Sequence, residues 1–199
     1  MHTKTNNEPC LARVVSGIDD ELLNAAKEAN LPRVEAALRA GANPNLTDSD
    51  LRTPAHYAAW RADTDCLVAL IEAGANLNYP DKNSWTPLHL ASGIRDPRPL
   101  HIILQQPSVA INAPDKWGCT PLHRATALAG KRSIPALIDA GADLFAETTH
   151  TWVGIPPGTT PLMVAVNRHR PGAAELLNDA INAQALQQKK PGSRKRPAL

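Results

Sequence analysis

Apolar side chains recur along the chain in sets of three at helical spacing: Val34, Ala37 and Leu38; Leu67, Leu70 and Ile71; Leu100, Ile103 and Leu104; Ile134, Leu137 and Ile138. Such spacing gathers the apolar residues into one stripe, so each set predicts a short helix with a single buried face. Gly41, Gly74 and Gly141 follow three of these sets, where a left-handed residue normally ends a helix. Pro97, Pro99 and Pro135 fall near the starts of two of them, where a first turn tolerates proline. A second helix signal precedes the sets at Thr53-Pro54, Thr86-Pro87, Thr120-Pro121 and Thr160-Pro161. The threonine hydroxyl can cap free amides, and proline at the next position has no N–H to waste. Ala25, Ala58, Ala91, Ala125 and Ala165 then supply a small residue at one fixed position, as required where neighbouring helices approach closely.

The Thr-Pro markers lie 33, 34 and 40 residues apart, so the pattern is an internal repeat. Asp81 to Ser84 and Asp115 to Gly118 are turn-forming clusters between units. Each unit therefore reads helix, turn, helix, hairpin-like loop. In register with this period stand Thr53-Pro54-Ala55-His56, Thr86-Pro87-Leu88-His89, Thr120-Pro121-Leu122-His123, Thr160-Pro161-Leu162-Met163 and the Gly-Ala-Asn/Asp marker at Gly41, Gly74 and Gly141. These residues closely resemble the ankyrin repeat.

The resemblance covers about residues 19–185 and implies an all-α, ankyrin-repeat solenoid of about five helix-turn-helix repeats with hairpin-like loops. The units are 20–47, 48–80, 81–114, 115–147 and 160–185. The first has Asp20 in the threonine position, and the last has Met163, Ala174 and Asn178 in place of family residues, as capping repeats do. Residues 1–18 are read as an N-terminal extension and 186–199 as a basic tail expected to be disordered. The third unit has Gln106-Pro107-Ser108-Val109 instead of Gly-Ala, which should alter one loop without breaking the stack. Residues 148–158 are an insertion, a finger or loop whose role the sequence leaves open.

Among the 199 residues there are only one Phe, two Tyr and four Trp, so aliphatic side chains and alanine must fill the core. The net charge is +2, but Lys189, Lys190, Arg194, Lys195 and Arg196 all belong to the tail; taking those five from 21 basic residues leaves 16 against 19 acidic. The first ten residues are polar, with no apolar run like a secretory signal, and no stretch nears the roughly 20 apolar residues of a membrane span. A cytoplasmic protein that does not enter a membrane is expected. Cys10, Cys66 and Cys119 are odd in number and far apart, which predicts reduced thiols rather than disulfides or a zinc site.

No phosphate-binding glycine loop, nucleophile elbow or zinc-protease motif occurs. His56, His89 and His123 recur once per unit; the resemblance makes them structural, tying each helix start to the adjacent loop. His2, His101, His150 and His169 have no ligand spacing. No enzyme activity, metal or cofactor is expected.

The resemblance also implies a concave face, built from hairpin tips and first helices, that binds partners. Position by position it selects Ser49, Asp50, Arg52, Trp60 and Arg61, then Lys82, Asn83, Trp85 and Ile94, then Lys116, Trp117, Cys119 and Leu128, then Asn167 and Arg168 beside the finger with Trp152. All four tryptophans fall in this selection with no core role assigned to them, and tryptophan and arginine are enriched at interface hot spots. The function expected is that of a protein-protein interaction module, monomeric when unbound, that masks, tethers or inhibits a partner protein. The alternative is a delivered or nuclear regulator whose basic tail serves import or nucleic-acid contact.

Overall fold

A computed structural model describes residues 8–129 and 132–188. Its elements are α1 (Glu8–Glu28), α2 (Leu31–Arg39), α3 (Pro54–Arg61), α4 (Thr64–Glu72), α5 (Pro87–Ser92), α6 (Arg98–Leu104), α7 (Pro121–Arg124), a π-helical stretch (Ala125–Ala129) continuing α7, α8 (Ser133–Asp139), α9 (Pro161–Asn167) and α10 (Pro171–Gln188). The helices form five pairs in two layers. First helices α1, α3, α5, α7 and α9 stack in order, and second helices α2, α4, α6, α8 and α10 stack behind them.

The predicted stripes are the interface between layers. Val34, Ala37, Leu67, Leu70, Leu100, Ile103, Ile134 and Leu137 are buried, and the five alanines at 25, 58, 91, 125 and 165 are fully so. The glycines end their helices as expected: Gly41, Gly74 and Gly141 have φ of +89°, +87° and +92°. Around each, two amides return to the last turn, as in Gly41 N–H to Leu38 C=O and Ala42 N–H to Ala37 C=O, both 3.0 Å. The third unit closes without glycine, through Gln106 N–H to Ile103 C=O at 3.0 Å, and the stack continues past it.

Successive units are also joined by side chains that the sequence pattern did not single out. Asn45 Nδ2 donates to Gly74 C=O and its Oδ1 accepts from Asn76 N–H; Asn78 and Asn112 repeat this one and two units on, toward Ser108 and Ala110 and toward Gly141 and Asp143. The hairpin tips are stitched by Lys82 N–H to Asp50 C=O and Lys116 N–H to Asn83 C=O.

At the ends, α1 already starts at Glu8 and runs through the position assigned as the end of the N-terminal extension. Helix α10 runs to Gln188, so residues 186–188 of the assigned tail are helical. The five basic tail residues, and Cys10 as a side chain, lie outside the described residues.

Candidate binding face

The first helices present three aligned rows on the side away from the second layer. Four residues after each capping threonine stand Tyr57, Leu90, Arg124 and Val164; seven after, Trp60, Gly93, Ala127 and Asn167; eight after, Arg61, Ile94, Leu128 and Arg168. The starts of α3, α5 and α7 are fixed by the same device. Thr53, Thr86 and Thr120 N–H donate to Nδ1 of His56, His89 and His123 at 3.0, 3.1 and 3.1 Å. With Nδ1 accepting, the ring proton sits on Nε2, which donates to the carbonyls of Trp85, Cys119 and Thr159 in the following hairpin at 3.0, 3.2 and 3.0 Å. Burial pushes all three rings below the usual histidine pKa, His89 to about 4. They are neutral structural groups, as the resemblance implied.

The hairpins are held by aspartates. Oδ1 of Asp48, Asp81 and Asp115 accepts two backbone amides of its own turn: Asp50 and Arg52, Asn83 and Trp85, Trp117 and Cys119. The Oδ2 atoms accept from Tyr57 Oη, from Arg52 Nε at 3.2 Å and from Trp85 Nε1 at 2.9 Å. Trp85 is thereby anchored at its edge, and its faces are used too. Arg124 lies over its ring at 4.0 Å, Trp117 is tilted 41° to it with centroids 6.2 Å apart, and Lys116 covers Trp117 at 4.3 Å.

The inserted finger folds inward. Trp152 and Ile155 exchange both backbone hydrogen bonds at 2.8 Å around Val153 and Gly154, whose φ values of 45° and 81° make the turn a mirror-image one. This drives Trp152, 5% exposed, and Ile155 onto Cys119, Ala127 and Val164, with Trp117 alongside. Arg168 Nη2 ties the finger down by donating to Val153 C=O at 3.2 Å.

Two positions selected from the sequence are thus corrected. Trp152 is a core residue of a second cluster rather than an exposed contact, because Cys119 and Ala127 are small enough to leave room for its ring. Cys119 is fully buried beneath it, and burial pushes its thiol up to about 12. The other tryptophans divide: Trp85 and Trp117 are half-buried in the cation–aromatic stack, whereas Trp60 is 54% exposed. Arg52 is half-buried against Asp81. Asp50 and Lys82 are exposed and pair across adjacent tips at 3.3 Å, and Arg61, Lys116 and Asn167 are exposed. Arg168 is half-buried on the finger.

On this face lies a pocket of about 160 Å³ lined by Arg52, His56, Tyr57, Trp60, Trp85, Leu90 and Arg124. Arg124, Tyr57 and Leu90 were not selected from sequence. The signal for Arg124 was present, since the residue after Thr-Pro-Leu-His is apolar or aromatic at the matching positions Tyr57, Leu90 and Val164. Among the described residues no group of three or more His, Cys, Asp or Glu is placed to hold a metal, and no helix is long and apolar enough to cross a membrane.

Five stacked helix pairs, four opened by a Thr-Pro cap and three of those locked by a bridging histidine, define a helical-repeat scaffold. Residues 22–96 match the family model for ankyrin repeats in three copies, and over that stretch the chain is similar to ankyrin-repeat proteins. No curated protein matches it in sequence. Ankyrin repeats generally mediate protein–protein interaction and are not typically enzymatic.

Proposed function

We propose that the protein binds one partner protein through the first-helix face of its second to fourth units, and masks or inhibits it by occupying it. The observation that carries this is Trp60, a large apolar side chain left more than half exposed at the rim of an open pocket while the finger closes the same face further along. Exposed aromatics beside arginines are the residues that most often dominate binding energy.

Photo-crosslinking inside cells tests the reading. A benzophenone amino acid replacing Trp60 or Lys82 is expected to capture a partner, while the same probe replacing Glu72 at the exposed end of α4 in the second layer captures none. Capture from Glu72 alone overturns the reading.

A further inference from the structure

Arg124 sits in a row otherwise filled by Tyr57, Leu90 and Val164, and it is only 8% exposed. Its Nε donates to His89 C=O at 3.0 Å, and one face of the guanidinium lies on Trp85. Room for it comes from Gly93, where a Cβ would approach its Nη2 to 3.2 Å. The nearest described carboxylates, Asp115 and Asp81, are already engaged by two amides each and by Trp85 and Arg52. Among the described residues no carboxylate lies within ion-pair distance of Arg124. A cation withdrawn from water without a direct counter-ion costs the fold stability, and leucine at this position, as in the preceding unit, would avoid that cost. The guanidinium lines an open pocket rather than a sealed core, so a counter-ion can reach it from outside.

We propose that this pocket receives a glutamate side chain from an extended segment of the partner protein, its carboxylate meeting Arg124 and its methylenes lying against Trp60 and Leu90. The volume of about 160 Å³ admits one side chain, and the forked guanidinium suits a planar carboxylate. A phosphorylated residue brings close to two negative charges to a pocket with one uncommitted cation, since Arg52 is held by Asp81. The inference rests on the first-helix face being the partner surface.

The test is a nitrogen-15 NMR titration of the intact chain with three end-blocked peptides, acetyl-Leu-Glu-Leu-amide, its glutamine analogue and its phosphoserine analogue, following the indole N–H signals of Trp60 and Trp85. The glutamate peptide is expected to shift both signals, at concentrations at least about tenfold below those the other two peptides require. Arg124→Gln is expected to abolish that preference; should the variant unfold, the comparison of peptides on the native chain decides alone. Equal responses to glutamate and glutamine, tighter binding of phosphoserine, or shifts confined to Trp117 and Trp152 overturn the proposal. It fails separately from the functional reading: crosslinking at Trp60 without a glutamate preference removes only the pocket's ligand, whereas a glutamate preference with crosslinking from Glu72 alone removes the partner surface.

Discussion

Thr53, Thr86 and Thr120 each give a backbone N–H to a histidine ring three residues on, and that hydrogen bond decides which protonation state the fold accepts. A second proton, on Nδ1, would set one donor against another inside the core. The folded rings therefore titrate below the ordinary 6.5, His89 near 4, while the unfolded chain binds protons from about 6.5 downward. The stability contributed by neutral rings is fully present above pH 6.5 and is lost as the pH falls toward 4. Urea midpoints are expected to be level from pH 8 to 7 and to drop steadily below 6.5; a midpoint that holds or rises down to pH 5 contradicts this. Gly118 offers a second residue-scale prediction. Leu51 and Ser84 hold φ of 59° and 60° at the matching turn position, so the left-handed backbone alone is tolerated there. At Gly118 a Cβ would come within 2.5 Å of Thr149 N, a backbone atom where the finger begins. Gly118→Ala is expected to cost about 1–3 kcal/mol through this overpacking in urea unfolding, whereas Ser84→Ala changes little. Both features were partly readable beforehand. The recurring His announces itself by its period, but the crowding at Gly118 depends on a segment 31 residues away, and no local pattern carries it.

The finger is the element that departs furthest from the repeat. Its existence was legible from the 40-residue interval between Thr120 and Thr160, but its direction was not. Trp152 looks like a surface residue because no repeat position requires it; its burial becomes clear only when Cys119, Ala127 and Val164 are brought together from three different segments. Trp152→Ala is accordingly expected to destabilise the protein by about 3–5 kcal/mol, the usual range for truncating a buried tryptophan, less whatever the finger loses by fraying locally. Trp60→Ala should move stability by only about 0.5 kcal/mol. Thermal unfolding of the two variants side by side checks this. Equal destabilisation contradicts the division between them.

At the scale of the whole molecule, each unit touches its neighbours and little else, so the five-unit architecture could be read from offsets alone. Caps, alanines, apolar stripes and terminal glycines repeat because every unit solves the same packing problem. The proposed partner surface is different in kind, since it is built on departures from the repeat: Arg124 where the register has an apolar or aromatic residue, and Trp60 where the next unit has glycine. Of the tryptophans selected from the sequence, Trp60 is exposed, whereas Trp85 and Trp117 support one another through Arg124 and Lys116; Arg124, which lines the pocket, was not selected because its charge breaks the pattern without being conspicuous. We propose the open stretch of the first-helix face, rimmed by Trp60, as the partner-binding surface. Its most direct test is titration calorimetry of the crosslinked partner, once purified, against the native chain, Trp60→Ala and Glu72→Ala. Trp60→Ala is predicted to bind at least about tenfold more weakly, roughly 1.4 kcal/mol, with its melting curve nearly unmoved and Glu72→Ala binding as the native chain does. Native affinity in Trp60→Ala, or a loss confined to Glu72→Ala, contradicts the account.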